Sequence, residues 1–394
     1  LALLFSGNVL FAAGLFVHAF LFNFYLRELQ LSASVMGHQV AAMTIGGLCA
    51  LLPAGLVIDR IGTRAALLGG VAVAFVGLTV TAIARDAAII YVAAFMIGLG
   101  GASCRVAWGP AIMRVTTDAS RARAFTWNAA LLIATGSGWT FVAGVLPGWS
   151  ARIAAGTGLT GIQFVLLAGA AVTACAAFCY APLRLPGATD APRGRPRIEL
   201  PKEARVLVPL IAFWMLAAAL VLPFFNVYFA SRFAMPVPQV GALFATAHVL
   251  TAVILVGAAE LARRWGPRRM LLLWTALLPP ALIWLSATDV LSLAVALYFV
   301  QGLIAPATNP LIDQLLLERA PRERHGIVAG WRNAAAEGAG AVGASAGGRL
   351  LDVSSFSTLF FAAGAVAAAS AALLAAALRS RRAPVTLLPD AGAP

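Results

Sequence analysis

Two stretches of this chain repeat each other about 204 residues apart, and the repeated segments are almost wholly apolar. Gly37, Gly62, Arg64, Gly98, Leu99, Trp127 and Gly144 recur as Gly241, Gly266, Arg268, Gly302, Leu303, Trp331 and Gly348. Near the front of each half the offset is 203, so that Asn23 and Tyr25 answer to Asn226 and Tyr228. A duplicated apolar chain implies two similar helical bundles that face each other, with any solute site at their interface.

Composition fixes the solvent. The chain is 61% hydrophobic and 11% charged, against roughly 25% charge in a soluble domain. Twelve stretches are long enough to span a bilayer, centred near residues 14, 47, 75, 101, 135, 170, 217, 250, 278, 304, 339 and 368. A net charge of +13 would suggest nucleic acid in a soluble protein, but its distribution excludes that partner. With loops assigned to alternate sides, 21 of the 28 Lys and Arg residues fall on one side, four on the other, and Arg105, Arg332 and Arg349 within spans. By the positive-inside rule the arginine-rich side is cytoplasmic, and an even number of spans places both termini there, in the cell (inner) membrane. The four cysteines all lie in spans without a disulfide or metal pattern.

The first bundle is expected over residues 1–183, a cytoplasmic linker rich in Pro, Gly and Arg over 184–204, the second bundle over 205–380, and a loose tail over 381–394. Spans five and eleven are rich in glycine, which lets helix backbones approach closely in lipid.

The loop between spans two and three reads GLVIDRIGTR, with Gly55, Asp59, Arg60, Gly62 and Arg64. It resembles the signature loop of the major facilitator superfamily, departing at Thr63, where that family usually has Arg. The second copy, RRWGPRR, keeps Gly266 but has Arg263 at the Asp position. The resemblance implies an all-α membrane protein: twelve transmembrane helices in two six-helix bundles related by pseudo-twofold symmetry. It also implies that spans one, four, seven and ten line a central cavity, and that the loop is a conformational latch. A further sign exchange sharpens the latch: Arg114 ends span four and Glu318 ends span ten. Asp59–Arg114 in one half would then become Arg263–Glu318 in the other.

Charged and polar groups inside the membrane are costly, about 2.5–3.5 kcal/mol at the centre on the lenient scale, so each needs a role. Arg105 in span four is a candidate anchor for a carboxylate or phosphate on the solute, or a structural cation. Glu337 in span eleven is the first candidate for a coupling-proton site, its alternative being an ion pair with Arg105. His18 and His248 are further proton candidates. Asn23 and Asn226 occupy matching places in spans one and seven, where they can grip a polar solute or cap broken helices. Asn309 in span ten is added to the substrate-binding set. Aromatic residues concentrate in spans one and seven, facing lipid or walling an apolar cavity.

No His-Glu-x-x-His pattern or phosphate-binding Gly-rich loop is present, so no enzyme and no cofactor is expected. The expected protein is a monomeric secondary active transporter, with a small organic molecule, protons and the lipid bilayer as its partners. Export against inward proton flow is the first reading, although span five lacks the Gly-Pro pair typical of the family's drug exporters. Proton-linked uptake or exchange of an organic anion is the second. A non-transporting receptor or scaffold is the reading from another class.

Overall fold

Four of the repeated glycines, Gly37, Gly144, Gly241 and Gly348, mark where the two halves meet. The computed structural model describes residues 1–154, 156–183, 205–318, 320 and 324–379. The expected linker, 184–204, and tail, 381–394, lie outside them.

The first half contains α1 (Ala2–Glu28), α2 (Ala33–Arg60), α3 (Thr63–Ile83), α4 (Ala87–Val115), α5 (Asp118–Ala154) and α6 (Gly161–Tyr180). The second contains α7 (Leu207–Val221), α8 (Phe225–Arg232), α9 (Val237–Trp265), α10 (Pro267–Ala287), α11 (Leu291–Leu317), α12 (His325–Val353) and α13 (Phe356–Arg379). The seventh span is broken: α7 passes through a 3-10 turn at Leu222–Phe224 into α8. Pro223, which has no N–H to donate, sits in that turn.

Eleven helices among the described residues are long and apolar enough to cross a membrane. The twelfth expected span is α12, 29 residues long but diluted by Arg332, Asn333, Glu337 and Arg349. It packs against α2 and α7.

Contacts between the halves run along α2–α12 and α5–α9, and they obey the repeat. A Cβ built at Gly241 on α9 would lie 2.8 Å from Gly144 Cα and 3.2 Å from the Thr140 carbonyl oxygen on α5. Its copy Gly37 on α2 meets the carbonyl oxygen of Ala344, the repeat of Thr140, at 2.1 Å. Likewise Gly144 would meet Val237 O at 3.3 Å, and Gly348 would meet Ala33 O at 2.4 Å. The recurrent glycines are thus the two copies of one backbone-on-backbone contact, too close for any side chain. Ser137 reinforces it, its hydroxyl donating to Ala245 O across the halves at 3.0 Å.

The glycine contacts lie toward the end opposite the arginine-rich loops, where the halves close on each other. Asp352 near the end of α12 strengthens the closure, its carboxylate accepting from the N–H groups of Ala33 (2.7 Å) and Ser34 (3.1 Å) at the start of α2. Those N–H groups have no partner within their own helix, so the carboxylate is an N-terminal cap supplied by the other half. Asp352→Ala is expected to destabilise the closed end by about 0.5–2 kcal/mol. Thiol labelling of a cysteine behind the closure should speed up roughly 2- to 30-fold, with Asp352→Asn intermediate.

The short loops repeat as well. Gly62 and Gly266 both take positive φ, 108° and 85°, which side-chain-bearing residues rarely adopt. Their recurrence is a backbone requirement of the turn.

Candidate functional site

Two cavities lie between the halves. The larger, 630 Å³, is lined by α1, α2, α4 and α5, with Glu337 from α12. It reaches toward the arginine-rich end, where it is lined by Trp108 in the last third of α4 and Asn128 in the first third of α5. Near that end Asn8 donates to Asn128 Oδ1 at 2.8 Å, tying α1 to α5.

Arg105 and Glu337 both line this cavity, one from each half. Glycines make room for the guanidinium: a Cβ at Gly47 on α2 would come within 3.7 Å of Arg105 Nη2, and Gly101, one turn earlier on α4, adds no side chain. Among the described residues neither Arg105 nor Glu337 forms an ion pair or a hydrogen bond. The Arg105–Glu337 bridge, one of the sequence alternatives, is therefore not made. A cation and a carboxyl group instead face shared space without protein partners among the described residues.

Other candidates are placed differently. Asn23 and Asn226 do face each other, with Asn23 Nδ2 3.2 Å from Asn226 Oδ1, but they are 6% and 3% exposed. Asn23 also donates to Pro223 O, and Asn226 Nδ2 donates to Phe20 O at 2.9 Å. The broken seventh span explains this, because the 3-10 turn frees a carbonyl that the amide satisfies. They clamp α1 to α7–α8, which is the second of the two roles expected for them, the capping of a broken helix. Asn309 accepts from Arg332 at 2.9 Å, and Arg332 also pairs with Asp313 at 3.0 Å. That binds α11 to α12, and Asn309 lines neither of the two cavities.

His18 lines the larger cavity, stacks on Phe22 at 4.4 Å and leaves Nε2 without a partner. His248 lies in the second cavity, edge-on to Phe16 at 5.6 Å. The aromatic clusters are mostly interior: Phe22, Tyr25, Phe224, Phe225, Tyr228 and Phe229 are buried.

The sign-exchanged latch pairs are not formed among the described residues. Arg114 donates to Thr63 Oγ1 at 2.7 Å. Arg263 grips Glu260, one turn back on its own helix, at 2.7 and 2.8 Å, and Glu318 accepts from Gln314 at 2.8 Å. Local partners at helical spacing satisfy both members of the second pair. Asp59, Arg60 and Arg64 are exposed, and Gly55 has open space where a Cβ would be.

The sequence profile of the Major Facilitator Superfamily matches residues 4–273 and 207–393. The chain belongs to that superfamily. Solved structures agree in fold across the whole chain. A bacterial homologue of the human lysosomal transporter Spinster, inward-facing and occupied, superimposes with a TM-score of 0.77 at 14% identity, covering 96% of this chain and 95% of that one. The nucleoside transporter NupG gives 0.75 at 11% identity, covering 96% and 99%. A POT family transporter in complex with 5-aminolevulinic acid gives 0.73 at 11% identity, covering 95% of each chain. No match was found among curated proteins. The chain is a membrane transporter and not an enzyme.

Proposed function

We propose that this transporter moves a small organic anion together with a proton by alternating access, binding the anion at Arg105 and the proton at Glu337. The observation that carries this reading is the pairing of an unpartnered cation and an unpartnered carboxyl group in one cavity, each from a different half. An ionised Glu337 competes with an organic anion for the field of Arg105, whereas a protonated Glu337 leaves that field to the solute. Anion and proton therefore favour each other's binding, and by linkage that coupling is reciprocal. The gradients set the net direction, since alternating access runs either way.

Proton-driven export, the first expectation from sequence, fits less well. Exchange needs a solute whose binding excludes the proton from Glu337; a cation would do so by charge, and Arg105 in the same cavity repels a cation. The arginine-rich side is taken as cytoplasmic, so the cavity as seen opens inward. The glycine contacts at the opposite end part as the bundles rock.

The test is flux into proteoliposomes carrying a trapped pH dye, with a panel of aromatic carboxylates and sulfonates as probes. Wild-type protein should acidify the lumen as an external anion enters. Glu337→Gln should still admit the anion but should no longer concentrate it under an inward proton gradient. Anion entry with no proton movement in wild type, or undiminished gradient-driven accumulation in Glu337→Gln, would remove Glu337 as the proton carrier.

A further inference from the structure

The second cavity, 410 Å³, lies against the first, and Phe16 and Ala19 line both. Phe16 is the partition. Its ring rests on the α5 backbone, where a Cβ at Gly136 would come within 2.9 Å of it, and it packs edge-to-face with the His248 ring.

This chamber exists because the repeat is broken at one place. In the first half α2 and α4 touch backbone to backbone: a Cβ at Gly98 would lie 1.7 Å from Met43 O. In the second half, the positions equivalent to Gly98 and Met43 are Gly302 and Ala247. No atom lies within 4 Å of where a Cβ at Gly302 would stand. The small residue is kept, the helix that should pack on it stands away, and the gap between α9 and α11 is the cavity.

The lining has also changed chemistry. Ile97, Thr44 and Gly47 of the first half correspond to Gln301, His248 and Thr251, all three of which line the chamber. Gln301 is 2% exposed, and its Oε1 has no hydrogen-bond partner. A buried acceptor without a partner is costly, so a ligand that brings a donor to Gln301 gains by relieving that cost. Phe244, Tyr298 and Phe299 supply aromatic walls, and no charged side chain lines the space.

We infer that this chamber is a second binding compartment, which takes an uncharged aromatic or alicyclic group carrying an N–H or O–H donor for Gln301. Phe16 separates it from the charged compartment at Arg105. This rests on reading the adjoining cavity as the solute site, and it makes the preferred solute a two-part molecule, one end anionic and the other a neutral ring with a donor. The donor matters because a site with a buried acceptor discriminates strongly against an analogue that lacks the matching group.

The experiment uses Gly302→Cys in a chain whose native cysteines are replaced, since the open space there accepts a thiol without a clash. Indole and N-methylindole, neutral and nearly isosteric, are the probes, and protection of the thiol from a maleimide is the readout. Indole should protect at roughly 5- to 150-fold lower concentration than N-methylindole. Gln301→Met, close in volume, should erase that preference, and Arg105→Ala should leave it intact. Phe16→Ala should speed labelling of the unprotected thiol.

Equal protection by the two probes, or a preference that survives Gln301→Met, overturns the compartment. So does the absence of protection by either probe. If Gln301→Met fails to fold, the comparison of the two indoles on Gly302→Cys alone decides. An anion site that is lost in Arg105→Ala while the indoles show no preference sinks only this compartment. The reverse result sinks only the anion anchor.

Discussion

Replacing Arg105 by alanine is expected to weaken binding of a naphthalenesulfonate probe by roughly 10- to 150-fold while leaving the protein as stable as wild type. The magnitude is that of a charge-assisted hydrogen bond to a buried anion, about 1.5–3 kcal/mol. The lack of a stability cost follows from the environment: no described residue pairs with the guanidinium, and its neighbours include Gly47 and Gly101. Removing an unpaired cation that faces an open cavity breaks no ion pair or hydrogen bond. Arg105→Lys should recover part of the affinity, because a point charge remains but the planar two-toothed fork is lost. Titration calorimetry with a parallel thermal melt separates the outcomes. Unchanged affinity in Arg105→Ala would refute the anion anchor, and a sharp loss of melting temperature would recast the residue as structural.

Much of the architecture was legible in the sequence because the repeat records contacts. Gly37 with Gly241, and Gly144 with Gly348, recur because each pair is one contact made twice. Gly62 and Gly266 recur because the turn requires positive φ. Arg105 and Glu337 stood out through cost alone, and both line the central cavity. Side-chain partnership was less legible. The paired amides Asn23 and Asn226 belong to the inter-half clamp because Pro223 breaks the seventh span, and hydropathy does not report where a carbonyl is left free. The sign exchange at Arg263 and Glu318 overlooked Glu260, which stands three residues before Arg263 on the same helix face. Gln301 is legible as a polar residue inside span ten, and its distinct role only by subtraction: a glutamine stands where the other half has Ile97. Phe16 gave no signal, since an aromatic residue in an apolar helix reads the same whether it faces lipid or divides a cavity.

Gly144→Leu should open the closed end of the transporter and abolish coupled transport. At Gly144 a Cβ would stand 3.0 Å from Gly241 Cα and 3.3 Å from Val237 O. Both are backbone atoms, so no rotamer change on the facing helix relieves the contact, and α5 and α9 must separate. Overpacking of this kind costs about 1–3 kcal/mol in a packed interior. The cost falls only on the state in which the two helices touch, so the closed-to-open ratio shifts roughly 5- to 150-fold. Gly138 on the same helix supplies the control. No atom lies within 4 Å of its Cβ position, and Gly138→Leu should transport normally. A cysteine at Ala19, which lines both cavities, reports the state when a membrane-impermeant maleimide is added on the side opposite the arginine-rich loops. It should be protected in wild type and Gly138→Leu but labelled in Gly144→Leu. Equal labelling of the two leucine variants would mean that the glycine contact packs the halves together without controlling access. Because Gly37 and Gly348 form the second copy of the contact, Gly348→Leu should reproduce the phenotype from the other side of the pseudo-twofold axis. A defect confined to one copy would show that the two seams do not close together, and that the bundles hinge at one edge instead of rocking as a pair.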